Sequence, residues 1–145
     1  MLFRSVVVTP AAGFVSPTSG LIMGLIGGVV CFAACSYLKP ALKYDDSLDV
    51  FGVHGVGGIT GAILTGVFAT TTAAGAPVGL LEGNVGQFIN QIIAVGITVT
   101  LAVVATGVIL FLVDKTIGIR PTVEEETEGL DIVDHGEQGY HRLTA

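Results

Sequence analysis

The sequence predicts an all-α, polytopic membrane protein with three transmembrane helices followed by a polar tail. Three observations predict it. Charged residues make up 12% of the chain and hydrophobic ones 51%, about half the charged share of a soluble domain. The charges are also segregated, with none between Arg4 and Lys39, none from Val50 to Leu81 and none from Gly83 to Val113. Each gap exceeds the ~20 apolar residues that a bilayer-spanning helix needs. Finally, the middle gap holds one histidine, His54, among glycines. An imidazole is costly in hydrocarbon and usually faces a bundle interior or a water-filled path.

The net charge of -6 comes largely from the residues after Glu124 and says little about the membrane body. The six basic residues are scattered and form no nucleic-acid patch. Met1-Leu2-Phe3-Arg4 carries a charge but no apolar core and cleavage site, so no signal peptide is expected. Cys31 and Cys35 stand four apart, on one face of a membrane helix. Metal binding would want closer pairs and more ligands, and no metal or cofactor is expected.

The first seventeen residues join an apolar Val6-Val7-Val8 to a Pro/Gly-punctuated loop, Thr9-Pro10-Ala11-Ala12-Gly13-Phe14-Val15-Ser16-Pro17. It reads either as irregular backbone covered by protein at membrane depth or as a plain interhelical turn. Pro17-Thr18-Ser19 starts the first span, which is expected over about 18–38 and to end at Lys39-Pro40. Gly20, Gly24 and Gly28 recur every four residues as a close-approach stripe. A polar link follows, in which Asp49 is expected to cap the second span (about 50–70) and Asp45 and Asp46 to favour its N-terminus. Gly57 with Gly61, and Gly58 with Ala62 and Gly66, offer further close-approach rows.

Residues 71–86 read as a small-residue loop holding only Glu82. The third span, about 85–113, carries Gln87, Asn90 and Gln91 on one face, expected to hydrogen-bond to neighbouring helices or interfacial water. The membrane part is thus residues 1–119 and the tail 120–145. The Glu124–Glu128 run is expected to stay extended and solvated. Leu130, Ile132, Val133 and Tyr140 supply apolar anchors, with Gly129, Gly136 and Gly139 for tight turns. Lys39, Lys43, Lys115, Arg120 and Arg142 flank spans on one side, so the positive-inside rule places the first link and the tail in the cytoplasm. That makes the chain a multi-pass protein of the cell membrane with its loop at Thr9 outside.

An uncharged imidazole offers one donor and one acceptor. His54 therefore suits a narrow path for a small polar molecule or a proton, and presents no fixed charge to trap a cation. The alternative is a packing histidine satisfied by threonine or backbone, or by a partner outside the chain. Enzyme readings fare badly. Gly55-x-Gly57-x-x-Thr60 lacks the third glycine of a dinucleotide loop, and no P-loop Lys-Ser/Thr follows.

Asp45-Asp46-Ser47-Leu48-Asp49-Val50-Phe51-Gly52-Val53-His54-Gly55-Val56-Gly57-Gly58 resembles the signature of the ammonium transporter (Amt/Mep/Rh) family, in its Amt branch. The Thr9–Pro17 loop resembles a segment just before it, and Gly129-Leu130-Asp131 with His135-Gly136-Glu137 and Tyr140 resembles the family's tail. The resemblance covers all but the first few residues. It implies an eleven-helix, trimeric fold with an apolar pore in each subunit, of which this chain matches the last three helices and tail. It implies that His54 is the second of two pore histidines, that Val50 lines the lower pore, that Thr9 lies near the outer conduction path and that Asp49 is structural. The first histidine, the phenylalanine gate and the outer cation site fall outside the matched part, so the chain looks like a truncated product or fragment. The expected substrate is ammonium or ammonia, and the expected partners are the bilayer, two further copies and a PII-type regulator at the tail. The alternatives are an ammonium sensor, or a remnant without activity.

Overall fold

The computed structural model describes residues 6–70 and 77–137. Expectations for loop residues 71–76 and for Gly139, Tyr140 and Arg142 lie outside these. The chain forms two compact units, one through Leu101 and one from Ala102. Among the described residues there are three helices long and apolar enough to cross a membrane: α1 (Pro17–Leu42), α2 (Phe51–Phe68) and α3 (Val85–Thr116). No named strand occurs among the described residues, and the extended pairing is a single bridge between Val15 and Ala69.

Each helix start has a local cause. Ser16 caps α1: its hydroxyl accepts the Ser19 N–H at 3.2 Å, and Pro17 fills the first turn, where an N–H has no helical partner. The Asn84 side-chain carbonyl accepts the Gln87 N–H at 3.0 Å at the head of α3. The expected stop at Lys39-Pro40 does not occur. α1 is α-helical to Ala33, widens into a π turn over Ala34–Leu38, and continues through Pro40 to Leu42. Proline removes a donor and crowds the carbonyl four residues back. The wide turn just before it is where the helix takes up that disturbance. α1 closes on Lys43 in the left-handed conformation, φ 51°.

The core of the first unit is built on the N-terminal segment. Val7, Ala11, Met23 and Cys31 have no exposed surface. Val7 lies between α1 and α2: a Cβ at Gly27 would sit 2.7 Å from the Val7 Cβ, one at Gly57 would sit 3.5 Å from its Cγ2, and one at Gly61 would collide with its carbonyl oxygen. The short 3₁₀ turn Thr9–Ala11 then packs along the second half of α2. Phe14 accepts the Thr70 N–H at 2.9 Å, tying the loop to the end of α2. Within this loop Ala11 is buried, while Thr9, Pro10, Ala12, Gly13 and Phe14 are exposed.

The small-residue rows are thus partly different from those expected. On α1 the buried glycines are Gly24 and Gly27, flanked by Met23 and Cys31, whereas Gly20 and Gly28 have open space where a Cβ would be. On α2, Gly57, Gly61 and Gly66 are buried, the last beneath Gln91 and Phe88 of α3. α3 buries no residue, and its apolar side chains stay exposed along its length.

The second unit holds two short helices, α4 (Val123–Glu128) and α5 (Leu130–His135). The Glu run is helical, not extended. Thr122 accepts the Glu125 N–H at 3.3 Å and its own N–H donates to the Glu125 carboxylate at 2.7 Å. This reciprocal capping box offsets repulsion among the glutamates, and three of them sit in the first turn, where the helix dipole favours negative charge. Those bonds from Thr122 hold the Glu125 carboxyl below the usual carboxylate range. Gly129 and Gly136 take φ 104° and 64°, conformations costly for other residues, so the expected turns form there.

Gly61→Ala forces a methyl onto the Val7 backbone, which has no rotamer by which to yield. It is expected to destabilise the first unit by about 1–3 kcal/mol, read as a lowered melting temperature in detergent. Gly20→Ala is expected to leave that temperature unchanged or higher; equal losses at the two positions would contradict this account of the close contact.

Candidate functional site

The sequence-predicted residues lie along α2 and the loop beside it. The helix opens on a second π turn, Phe51–Val56, which carries His54 near its centre. Such i→i+5 turns are rare and recur at functional positions. Within it Gly52 and Val53 are buried, facing α1. The Cys31 thiol donates weakly to the Val53 carbonyl at 3.9 Å, and a Cβ on Gly52 would lie 2.6 Å from the Cys35 sulfur. His54 is exposed and its imidazole makes no hydrogen bond among the described residues.

Val50, one turn before, is 49% exposed. Gly58, one turn after, has open space around its Cα. Val50, His54 and Gly58 therefore follow one another as an open strip, away from the buried Gly52, Val53, Gly57 and Gly61. Beyond Gly58 the strip meets a groove between α2 and the first part of α3, about 260 Å³ in volume, lined by Ile59, Ala62, Gln91 and Val95 among others.

Thr9 is not brought to His54. Its neighbour Pro10 shares a cavity of about 210 Å³ with Thr65, Gln87 and Gln91. Thr65 lies eleven residues beyond His54, roughly 16 Å along the helix at ~1.5 Å per residue. The two residues thus sit at different heights of one helix. Of the polar face expected on α3, Gln87 and Gln91 are half-buried and line this cavity, while Asn90 is exposed.

Asp49 does not provide the side-chain cap expected of it; Asp46 does. The two Asp46 carboxylate oxygens accept the Val50 and Phe51 N–H groups at 2.8 Å each. Asp49 takes a left-handed backbone, φ 55°, which aspartate tolerates better than most residues. Its carbonyl begins the helix ladder by accepting the Val53 N–H at 2.9 Å. Its carboxylate instead accepts the Lys39 ammonium of α1 at 2.7 Å. The pair ties the end of α1 to the start of α2, so Asp49 is structural through an ion pair. The backbone bonds from Phe51 and Val50 hold the Asp46 carboxyl below its usual range. Tyr44 sets its ring edge against Phe51, centroids 5.5 Å apart at 80°, and burial pushes its phenol upward. No three His, Cys, Asp or Glu side chains cluster as metal ligands among the described residues.

This arrangement defines a class: a helical membrane protein whose charged groups collar the helix ends while the polarity within the apolar helices rests on one imidazole and a few amides and hydroxyls. Comparison with known proteins agrees. The Ammonium Transporter Family model matches residues 5–140. The chain is 47% identical over 137 residues to an ammonium transporter of Bacillus subtilis, covering 93% of this chain and 34% of that protein. It is 46% identical over 136 residues to one from Aquifex aeolicus, covering 94% and 32%. The crystal structure of Saccharomyces cerevisiae Mep2 superposes with a TM-score of 0.80 at 32% identity, covering 99% of this chain and 34% of that one. Candida albicans Mep2 gives 0.76 at 30% identity, covering 86% and 29%. The chain belongs to the ammonium transporter family and spans about a third of the length of the curated relatives it matches.

Asp46→Ala is expected to speed hydrogen exchange at the Val50 and Phe51 amides, whereas Asp49→Ala leaves those two largely protected. The Asp46 carboxyl is depressed in the folded state, so its stabilisation is full above the unfolded carboxylate range and is lost as pH falls through the folded value. Protection at the two amides should fall with acid in the same window; unchanged exchange in Asp46→Ala would remove this residue from the cap.

Proposed function

We propose that this chain supplies three helices to the wall of a transmembrane pore for ammonium or ammonia, and that His54 lines it. The observation carrying the proposal is the open strip of Val50, His54 and Gly58. It leaves an imidazole in the opening turn of a helix long and apolar enough to cross a membrane without a hydrogen-bond partner among the described residues. Lipid cannot satisfy an imidazole, whereas a polar lumen can. A second histidine, on helices outside this chain, pairs with His54 in this reading. Val50 lines the path below it, and Thr9 lies near its outer part.

A neutral imidazole suits this work because it can donate to or accept from a small polar molecule passing by. A bare cation in an apolar pore is far more costly than a neutral molecule, so ammonia crosses this stretch after ammonium leaves a proton behind. The rest of the reading follows the resemblance: three subunits assemble in the cell membrane, the tail is cytoplasmic, and a PII-type regulator meets it there.

The test is to graft these residues in place of the aligned third of the Bacillus subtilis relative and to measure methylammonium uptake at matched membrane levels. The graft is expected to take up methylammonium. His54→Ala is expected to lower uptake at least about tenfold, which corresponds to ~1.4 kcal/mol or more in the barrier, with membrane assembly intact. Full uptake by His54→Ala would exclude the imidazole from the path.

A further inference from the structure

Two π turns meet in this protein. Ala34–Leu38 on α1 and Phe51–Val56 on α2 pack against one another, with Gly52 set against Cys35. A Cβ on Gly52 would stand 2.6 Å from the Cys35 sulfur and 3.3 Å from its backbone nitrogen. No side chain fits at position 52 without movement of the sulfur. Resting on the pore reading above, we propose that the bare backbone at Gly52 is the positioning device for His54: with no side chain between it and α1 at Cys35, the π turn seats there and so fixes which way the imidazole points.

The argument is one of register. One residue of helical register is about 100° of rotation, and a π turn differs from an α turn by one residue in its hydrogen bonding. Below His54, α2 is fixed by the Lys39–Asp49 ion pair and by Asp46 on the Val50 and Phe51 amides. Above it, α2 is fixed where Gly57 meets Cys31 and Val7, and Gly61 meets the Val7 backbone. With both ends held, the change from π to α has to be taken up between them, in the segment carrying His54. The Gly57 N–H already turns back to the His54 carbonyl, so the transition out of the wide turn begins at this residue. Gly52 is a buried point in that segment where α1 meets backbone with no side chain between. Gly52 and Cys35 touch no substrate in this account and act through His54.

The experiment uses the graft and the Gly52→Ala, Cys35→Ala and double variants. Two readouts are taken: methylammonium uptake kinetics at matched assembled protein, and the rate at which diethyl pyrocarbonate modifies His54, read by mass spectrometry of its peptide with His135 as internal control. Gly52→Ala is expected to lower Vmax several-fold with KM within about twofold, and to change the His54 modification rate while leaving His135 unchanged. Cys35→Ala alone behaves as the parent. The double variant, which removes the crowding sulfur, recovers most of both losses. Where Gly52→Ala does not assemble, Cys35→Val crowds the same contact from the α1 side and carries both readouts. A Gly52→Ala protein with parental kinetics and parental His54 modification overturns the proposal, as does a double variant no better than Gly52→Ala in uptake, modification or assembly. If the parent graft inserts but takes up nothing, the pore reading fails on its own, and the modification rates still decide whether Gly52 and Cys35 set the imidazole.

Discussion

The structure depends on one close approach, the passage of Val7 between α1 and α2. Lipid tails are as apolar as leucine, so a membrane gives helices no hydrophobic reason to associate, and contact must come from surfaces that let backbones draw near. Gly27, Gly57 and Gly61 provide that surface, and Val7 fills it with no exposed area left. The loop that follows is then laid along α2 and bridged to its end through Val15 and Ala69. The helix held in this way carries His54 near its start.

That mounting separates two kinds of polarity. Charge is kept to the end of α1 and the start of α2, where Lys39, Asp46 and Asp49 satisfy one another and the first amides of α2. Mid-helix polarity is sparse and uncharged. The Thr60 and Thr65 hydroxyls are turned back onto carbonyls of their own helix at 2.8 Å, and the His54 imidazole has no hydrogen-bond partner among the described residues.

Much of this was legible in the sequence. Long uncharged gaps can only be spans, and a histidine within one is conspicuous, so the three helices and His54 follow from composition and spacing. Contacts were less legible. Glycine spacing marks a helix as able to approach another but not which row is used, and the row at Gly24 and Gly27 is chosen by Val7, a residue far away in sequence. Asp46 and Asp49 are both plausible caps on paper; the left-handed turn at Asp49 settles the matter by directing its carboxylate to Lys39. The two π turns leave no periodic signal, because they arise from how two backbones meet. The helix at Val123–Glu128 has a sequence signal, the Thr122-x-x-Glu125 pattern, which the like charge of the glutamate run obscures.

The central claim is that His54 faces a lumen. Electron cryomicroscopy of the assembled protein in lipid nanodiscs reads this directly, by locating the imidazole relative to lipid and to ordered water. The account predicts the ring on a protein-enclosed, water-accessible path, with Val50 and Gly58 on the same wall. A His54 ring lying against acyl chains would contradict it.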